Sequence, residues 1–439
     1  MKKKIVRVIC ILLSLAIILV SISFFQKEKP VNQQTEITES TSVNDNTSEA
    51  LTETISETET TTETQSLTET TTQHQIPEIT IPPLENSPLS ANSGELGKLV
   101  RQVAEKYGAV GVQVATIKDG IVSSTAEYGW ATIDEKPMEA DTKIRIASLS
   151  KTVVGMVAFK LVEEGKLSLE TDISEYLGVE VKHPEYADIP ITLKMLLTHT
   201  SGIADKGYQK SLEEIREYLK TPEAYRDKPG EVCRYSNYGF GLIGTICECV
   251  TNKSLNALAK QYFFNPIGIK ASYLGGQLNK DKVANIYNNK GEIGLSVEDS
   301  TDLANDNTKP GSRMMIYAGG LMTSAADFAK LLTVLINDGM YNGVELLSKE
   351  TVAQMHTPNL PNSSVQCMPM KKMNGMYNQD YMYYHTGSAY GVYSLYVYNT
   401  ETKTGAVVST TGAKVSKDRY GIYSVCGDIV DGIVENELY

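Results

Sequence analysis

Positive charge is scarce in this sequence. Its 439 residues carry 41 Lys and Arg against 53 Asp and Glu, a net charge of −12, and no basic residue lies between positions 30 and 97. Nucleic-acid-binding proteins usually present a basic face, so this class is excluded. The hydrophobic fraction of 41% excludes a wholly disordered chain, and the length fits one large domain or two or three smaller ones.

Cysteine is also scarce, with six residues in the chain. Cys10 lies in an uncharged run, and the other five cannot all pair with one another because their number is odd. Cys247 and Cys249 do not form a Cys-x-x-Cys pair, and no second cluster completes a zinc site. We therefore expect no metal site, and we interpret most of these cysteines as small buried apolar residues.

Residues 8–25 contain no charged side chain, whereas residues 1–7 carry four positive charges. A run of this length is just able to cross a bilayer, and the charges before it place the amino terminus in the cytoplasm. We expect residues 1–25 to be a signal-anchor of a single-pass cell-membrane protein whose remaining chain is extracellular. The alternative is a cleavable signal peptide and a secreted protein, because Ser21 and Ser23 are small residues at a suitable spacing.

Thr, Ser and Glu dominate the segment that follows. Residues 35–72 contain 15 Thr, 5 Ser and 8 Glu. Such a segment cannot bury enough apolar surface to become ordered. We therefore predict a disordered tether over residues 26–94 and a folded domain over residues 95–439.

Strand patterns at both ends of the predicted domain flank a long helical stretch. Ala109–Ile117 and Ile121–Tyr128 are predicted to form a hairpin around Asp119-Gly120. The pattern from Ser148 to Glu164 is apolar on most sides, which is typical of a buried helix, and residues 166–340 are mostly helical. We predict an α+β fold, an α/β sandwich in which an antiparallel sheet is flanked by helices and interrupted in sequence by an inserted all-helical subdomain.

Ser148 and Lys151 form a Ser-x-x-Lys motif at the start of the predicted buried helix. Side chains three residues apart lie on one face of a helix, and backbone N–H groups at the helix amino terminus favour developing negative charge. A buried lysine can lose its proton and act as a base. The motif therefore indicates a serine nucleophile with a lysine base, and the alternative is an N-cap serine followed by a solvated lysine.

Two further motifs would complete such a site. Tyr235 and Asn237 precede an apolar helix, where a tyrosine can carry a proton and an asparagine can orient an amide. The motif His385-Thr386-Gly387-Ser388 lies where a Tyr-rich strand begins. Its glycine would let a substrate approach the strand backbone, and the last serine N–H could donate to an oxyanion. The alternatives are a core tyrosine at a helix cap and an ordinary strand-end histidine.

The three motifs resemble those of the serine β-lactamase and penicillin-binding superfamily, in its class C β-lactamase and D-Ala-D-Ala carboxypeptidase branch. That family carries Ser-x-x-Lys, Tyr-x-Asn and Lys/His-Thr-Gly in this order and at similar separations, here 87 residues from Ser148 to Tyr235 and 150 more to His385. The family fold is an antiparallel sheet with flanking helices and a helical subdomain. Further stretches that match the family are Ile191–Gly202, Asn265–Gly268 and Ala318–Leu321.

The resemblance implies a serine hydrolase that forms an acyl-enzyme on Ser148. Lys151 and Tyr235 would pass the serine proton to the leaving group, and backbone N–H groups would stabilise the oxyanion. It implies no metal or organic cofactor, and it implies a structural role for His199. The residues implied to bind the substrate are Asn237, His385, Thr386, Gly387 and Ser388.

The resemblance further implies D-amino-acid peptide bonds of cell-wall stems as the substrate. The expected partners are a peptidoglycan stem peptide, or a related acyl substrate, and the membrane through residues 8–25, with no nucleic acid. His385 stands where most β-lactamases have lysine, and a largely neutral imidazole gives a carboxylate less positive charge; we expect that charge to increase in acid. The alternatives are an esterase on D-alanyl or other acyl esters of wall polymers, and a non-catalytic penicillin- or wall-peptide-binding protein.

Overall fold

The computed structural model describes residues 94–306, 309–358 and 365–439. Its strands, numbered in chain order, are β1 (Gly111–Lys118), β2 (Ile121–Thr132), β3 (Lys136–Pro137), β4 (Ile144–Arg145), β5 (Ile286–Tyr287), β6 (Ile293–Leu295), β7 (Met322–Thr323), β8 (Met340–Tyr341), β9 (Val344–Glu345), β10 (Lys371–Asn374), β11 (Tyr381–Ala389), β12 (Val392–Asn399) and β13 (Thr404–Thr411).

The helices are α1 (Glu95–Tyr107), α2 (Ser150–Glu163), α3 (Ile173–Leu177), α4 (Leu193–Leu197), α5 (Leu212–Leu219), α6 (Asn237–Thr251), α7 (Leu255–Ala259), α8 (Asn265–Ile267), α9 (Val297–Ser300), α10 (Met314–Gly319), α11 (Ala325–Ile336), α12 (Lys349–His356) and α13 (Ser424–Glu435).

Seven strands form one antiparallel sheet in the order β10-β11-β12-β13-β1-β2-β3. The predicted hairpin of β1 and β2 is confirmed, and its two turn residues, Asp119 and Gly120, both have positive φ, as a tight hairpin turn requires. Since β1 pairs with β13, strands from the two ends of the domain lie side by side. The predicted α+β fold with a large antiparallel sheet is confirmed.

Both faces of the sheet are covered by helices, and a separate hydrophobic core lies on each. On one face, Val112 and Val114 of β1 pack with Val100 of α1 and Ile429 of α13. On the other, Ile117 belongs to the larger core, which α2 and the helical region fill. Strands covered on both faces are buried along most of their length, and β1 is accordingly buried at every position except Lys118.

Helices α2 to α10 lie between β4 and β7 in the sequence, a region that covers most of the helical stretch predicted over residues 166–340. It differs from the prediction by including a short hairpin, β5–β6, whose backbone is tied to the sheet because the Tyr287 N–H donates to Thr411 Oγ1 at 2.7 Å. Within this region α2 is buried over nearly its whole length, as its sequence predicts.

The five cysteines in the described residues are free. Cys247, Cys367 and Cys426 are buried as expected, but Cys233 is exposed because it lies on the loop before α6. Within the described ranges, no helix combines the length and hydrophobicity that a membrane span needs. The predicted anchor over residues 1–25 and the predicted tether up to residue 93 lie outside these ranges and stay predictions.

Candidate active site

Ser148 lies in a short 3₁₀ turn, Ala147–Leu149, directly before α2. The helix itself begins at Ser150, so the expectation that Ser148 opens the helix is wrong by two residues. Ala147 has a φ of 50°, a left-handed conformation that costs energy for any residue other than glycine. The turn is stabilised by the Ser150 hydroxyl, which donates to the Ala147 carbonyl at 2.6 Å and accepts the Leu321 N–H at 3.0 Å.

Lys151 is fully buried beside Ser148. Its Nζ lies 3.2 Å from Ser148 Oγ, 2.8 Å from Asn237 Oδ1 and 2.5 Å from the Ala318 carbonyl oxygen. All three acceptors are uncharged. Burial lowers the pKa of Lys151 to about 7, although the negative charge of Asp205 partly opposes this shift. The amine is therefore free in a large fraction of molecules at neutral pH and is able to accept a proton.

Tyr235 lies over Lys151, with the lysine Nζ 4.9 Å from the ring centroid. Although 40% of the tyrosine residue is exposed, it lines one cavity together with Ser148. Burial raises the pKa of Tyr235 well above its ordinary value, and the Ser148 hydroxyl only partly opposes the rise. Tyr235 is therefore a neutral phenol, a group that passes protons rather than one that holds a negative charge.

Asn237, the first residue of α6, is fixed on both sides of its amide. Its oxygen accepts from Lys151, and its nitrogen donates to Asp205 Oδ2 at 3.3 Å. Asp205 also accepts the backbone N–H of Tyr238 at 2.7 Å and thereby anchors the start of α6. Asp205 is not predictable from the sequence, because a single acid a few residues beyond Gly202 carries no pattern of its own.

His199 supports the same segment from behind. Its Nδ1 accepts the backbone N–H of Ser236 at 3.1 Å, and its ring packs 4.7 Å from that of Tyr235. Burial lowers the pKa of His199 well below its ordinary value, and the positive charge of Lys151 adds to the shift. A neutral imidazole that holds the backbone next to Tyr235 agrees with the structural role expected from the sequence.

The motif His385-Thr386-Gly387-Ser388 lies inside β11 rather than at its start, which corrects the predicted boundary. A Cβ atom on Gly387 would lie 2.7 Å from the Ile146 carbonyl oxygen and 3.1 Å from the Ser148 nitrogen. From the sequence, this glycine is expected to let a substrate approach the strand closely. In the structure, the glycine lets β11 pack against the turn that carries Ser148, and the approach of a substrate stays a prediction.

His385 is buried, and its Nδ1 lies 2.8 Å from the Thr386 carbonyl oxygen. Burial, followed by the positive charge of Lys151, lowers the pKa of His385 to about 3. The expectation that this imidazole gains charge in mild acid is therefore wrong. Lys371 of β10, a residue that the sequence analysis did not single out, supplies positive charge to the same cavity.

These groups surround a cavity of about 340 Å³ that opens beside Ser148. The structure thus brings together the three motifs that are far apart in the sequence, and it adds a lysine and a tyrosine from other elements. The lining residues are Ser148, Tyr235, Asn237, Lys371, His385, Thr386, Ser388 and Tyr423.

Comparisons with known proteins agree with this arrangement. The model of the Beta-lactamase family matches residues 96–424. The Protein flp of Staphylococcus aureus (strain N315) is 24% identical over 327 residues, which are 72% of this chain and 62% of that protein. The chain thus spans about three fifths of the length of this relative.

Two solved structures show the same fold. The octameric penicillin-binding protein homologue from Pyrococcus abyssi gives a TM-score of 0.61 at 23% identity, over 79% of this chain and 77% of that one. The Beta-Lactamase/D-Alanine Carboxypeptidase from Pseudomonas syringae gives a TM-score of 0.60 at 18% identity, over 78% of this chain and 99% of that one. The chain therefore belongs to the beta-lactamase family, as its motifs predict, and its family and fold support the predicted enzyme class, a serine hydrolase.

Proposed function

We propose that the chain forms an acyl-enzyme on Ser148 and acts as a D,D-carboxypeptidase on D-amino-acid peptide bonds of cell-wall stem peptides. The observation that carries the proposal is the buried Lys151 amine, 3.2 Å from Ser148 Oγ, with uncharged acceptors around it. A lysine paired with a carboxylate would hold its proton, whereas this one is able to release it.

The two pKa directions assign the proton path. Lys151, whose pKa is lowered, takes the proton from Ser148 as Oγ attacks the carbonyl carbon. Tyr235, whose pKa is raised, stays protonated and relays a proton from Lys151 to the departing amine as the C–N bond breaks. Water then attacks the ester by the reverse path and releases the second product.

The remaining groups position the carbonyl and the leaving group. The backbone N–H groups of Ser148 and Ser388 are proposed to donate to the oxyanion, since both residues line the cavity. Lys371 provides a positive charge for the free carboxylate of a leaving D-amino acid. Cell-surface anchoring through residues 8–25 would place the site beside such peptides.

An esterase on D-alanyl or other acyl esters of wall polymers is the second candidate. It is favoured by the neutral His385, because the β11 side of the cavity then has no charge of its own to select a carboxylate. The leaving group is an amine in the first candidate and an alcohol in the second.

The test uses the full-length chain with a stem peptide ending in D-Ala-D-Ala and with the matching ester. Acyl-enzyme is detected by intact mass and located by peptide mapping. We expect acylation of Ser148 and release of D-alanine, and we expect Ser148→Ala to lower turnover at least about a thousandfold. Ser124→Ala, an exposed serine on β2, is the matched control.

Each result decides one claim. Turnover that survives in Ser148→Ala contradicts the covalent mechanism. Release from the ester but not from the peptide would favour the esterase, and tight binding without release would indicate a binding protein.

A further inference from the structure

A second cavity, of about 270 Å³, lies on the other side of Ser148. It shares Ser148, Asn237 and Ser388 with the first cavity, and beyond them it is lined by residues that include Arg145 and Tyr390. The two cavities therefore meet at the nucleophile. A substrate attacked there would place one half in each.

The position of the proton carrier decides which half enters which cavity. The leaving group must receive its proton from Tyr235, and Tyr235 lines the first cavity but not the second. The leaving group therefore departs through the first cavity, and the acyl half occupies the second. This assignment rests on the proposed acyl-enzyme mechanism.

Arg145 of β4 brings a partly buried positive charge to the second cavity. Its Nε donates to the Gly319 carbonyl at 2.9 Å, and its guanidinium carbon lies 5.3 Å from the centroid of the Tyr390 ring. A guanidinium has five N–H donors, so four remain for other partners. Asp299 and Asp302 line a separate cavity of about 50 Å³ with Arg145, but neither lies within ion-pair distance of it in the described residues.

The outer nitrogens of Arg145 reach solvent. Neither belongs to the fully buried polar atoms that lack a hydrogen-bond partner in the described residues. A charge that is partly removed from water, with no carboxylate paired to it in the described residues, is costly, and burial accordingly lowers the pKa of Arg145. A ligand with an anionic group would remove this cost.

Tyr390 and Met315 form the apolar walls of the cavity. They are 54% and 42% exposed, unusually high values for such large side chains. Tyr390 also has a φ of 56°, a conformation disfavoured for a bulky residue, and this turn geometry places its ring over Arg145. The walls suit a short hydrocarbon segment that ends at the guanidinium.

We propose that the second cavity selects acyl groups that carry a carboxylate. The carboxylate would pair with Arg145, and the methylene groups between it and the reacting carbonyl would lie against Met315 and Tyr390. Arg145 would then be a specificity-determining residue for the acyl half, independent of the charge of the leaving group.

The test compares two 4-nitrophenyl esters that share one leaving group, a glutaryl ester with a free carboxylate and a neutral pentanoyl ester of similar length. The full-length chain and two variants, Arg145→Met and Arg419→Met, are compared by kcat/KM. The control residue Arg419 also lies over a tyrosine ring, that of Tyr420, and it lines neither cavity. We expect Arg145→Met to lower the glutaryl-to-pentanoyl ratio at least about tenfold, and we expect the control to keep it.

The outcomes separate the two proposals. An unchanged ratio in Arg145→Met, or an equal loss with both esters, would overturn the subsite and leave Arg145 as a support for Gly319. If Arg145→Met does not fold, Met315→Glu takes its place, because a negative charge beside Arg145 should lower the same ratio. Failure of the wild-type chain to be acylated by either ester would overturn the acyl-enzyme mechanism as well.

Discussion

Lys371 should determine how strongly the enzyme prefers leaving groups with a free carboxylate. It lines the first cavity together with Ser148 and Thr386, and none of the described residues that line this cavity is acidic. Its positive charge contributes, after burial and Lys151, to the lowered pKa of His385. We predict that Lys371→Ala lowers acylation by a carboxylate substrate and has little effect on its neutral ester.

The expected size follows from Coulomb's law. Unit charges about 5 Å apart attract by about 1 kcal/mol in water and about 3 kcal/mol at an effective dielectric constant near 20. Lys371 is partly exposed, so the value should lie between these limits, at about 1–2 kcal/mol. This corresponds to a loss of about fivefold to thirtyfold in rate.

The assay measures acylation of the full-length chain by a D-Ala-D-Ala peptide and by its carboxyl-terminal methyl ester. Lys372→Ala is the matched control, since the Lys372 ammonium instead lies 4.1 Å from the centroid of the Tyr381 ring. His385 is neutral in the range from about pH 5.5 to 8, so the preference should be flat with pH there. An equal preference in Lys371→Ala and wild type, or one that rises steeply in acid, would refute the reasoning.

Two further predictions concern pH. Acylation by a neutral ester should increase with pH and level off above about 7, because Lys151 must be the free amine; a rate that is flat from pH 5.5 to 8.5 would exclude it as the base. Stability, measured as Tm, should fall below about pH 6.5, because burial lowers the pKa values of His199, His356 and His385, so the unfolded chain binds protons first. Glu248 opposes this loss of stability between about pH 4.5 and 7, because burial raises its pKa to about 7. Three histidines outweigh one carboxyl, so the free energy of unfolding should fall by roughly 1–3 kcal/mol for each pH unit of acidification. A constant Tm from pH 7 to 4.5 would contradict the assignment.

Local patterns were sufficient for much of the fold. The hairpin turn at Asp119-Gly120 and the buried helix α2 are determined by residues close in sequence, so their patterns predicted them. Boundaries depend on distant partners. The helix starts at Ser150 because that hydroxyl bridges the Ala147 carbonyl and the Leu321 N–H, a contact across 171 positions that no local pattern contains.

The motifs likewise predicted which groups meet but not the charge they carry. The chemistry of His385 depends on burial and on Lys151, which lies 234 positions away in the sequence, and therefore only the structure shows that the imidazole is neutral. Lys371 and Arg145 belong to short strands with no motif, and they become site residues because the sheet and the β4–β7 pair bring them to Ser148.

The segment Tyr317–Leu321 explains why Lys151 is able to act as a base. Its residues Ala318–Leu321 match the family as a sequence stretch, but their role lies in the Ala318 carbonyl, which accepts from Lys151. Three side chains hold this carbonyl in place, since Glu248 binds the Tyr317 hydroxyl, Arg145 binds the Gly319 carbonyl and Ser150 binds the Leu321 N–H. A carbonyl satisfies the amine without the negative charge that a carboxylate would bring. The fold thus buries a lysine with its hydrogen bonds made and leaves its proton free to move.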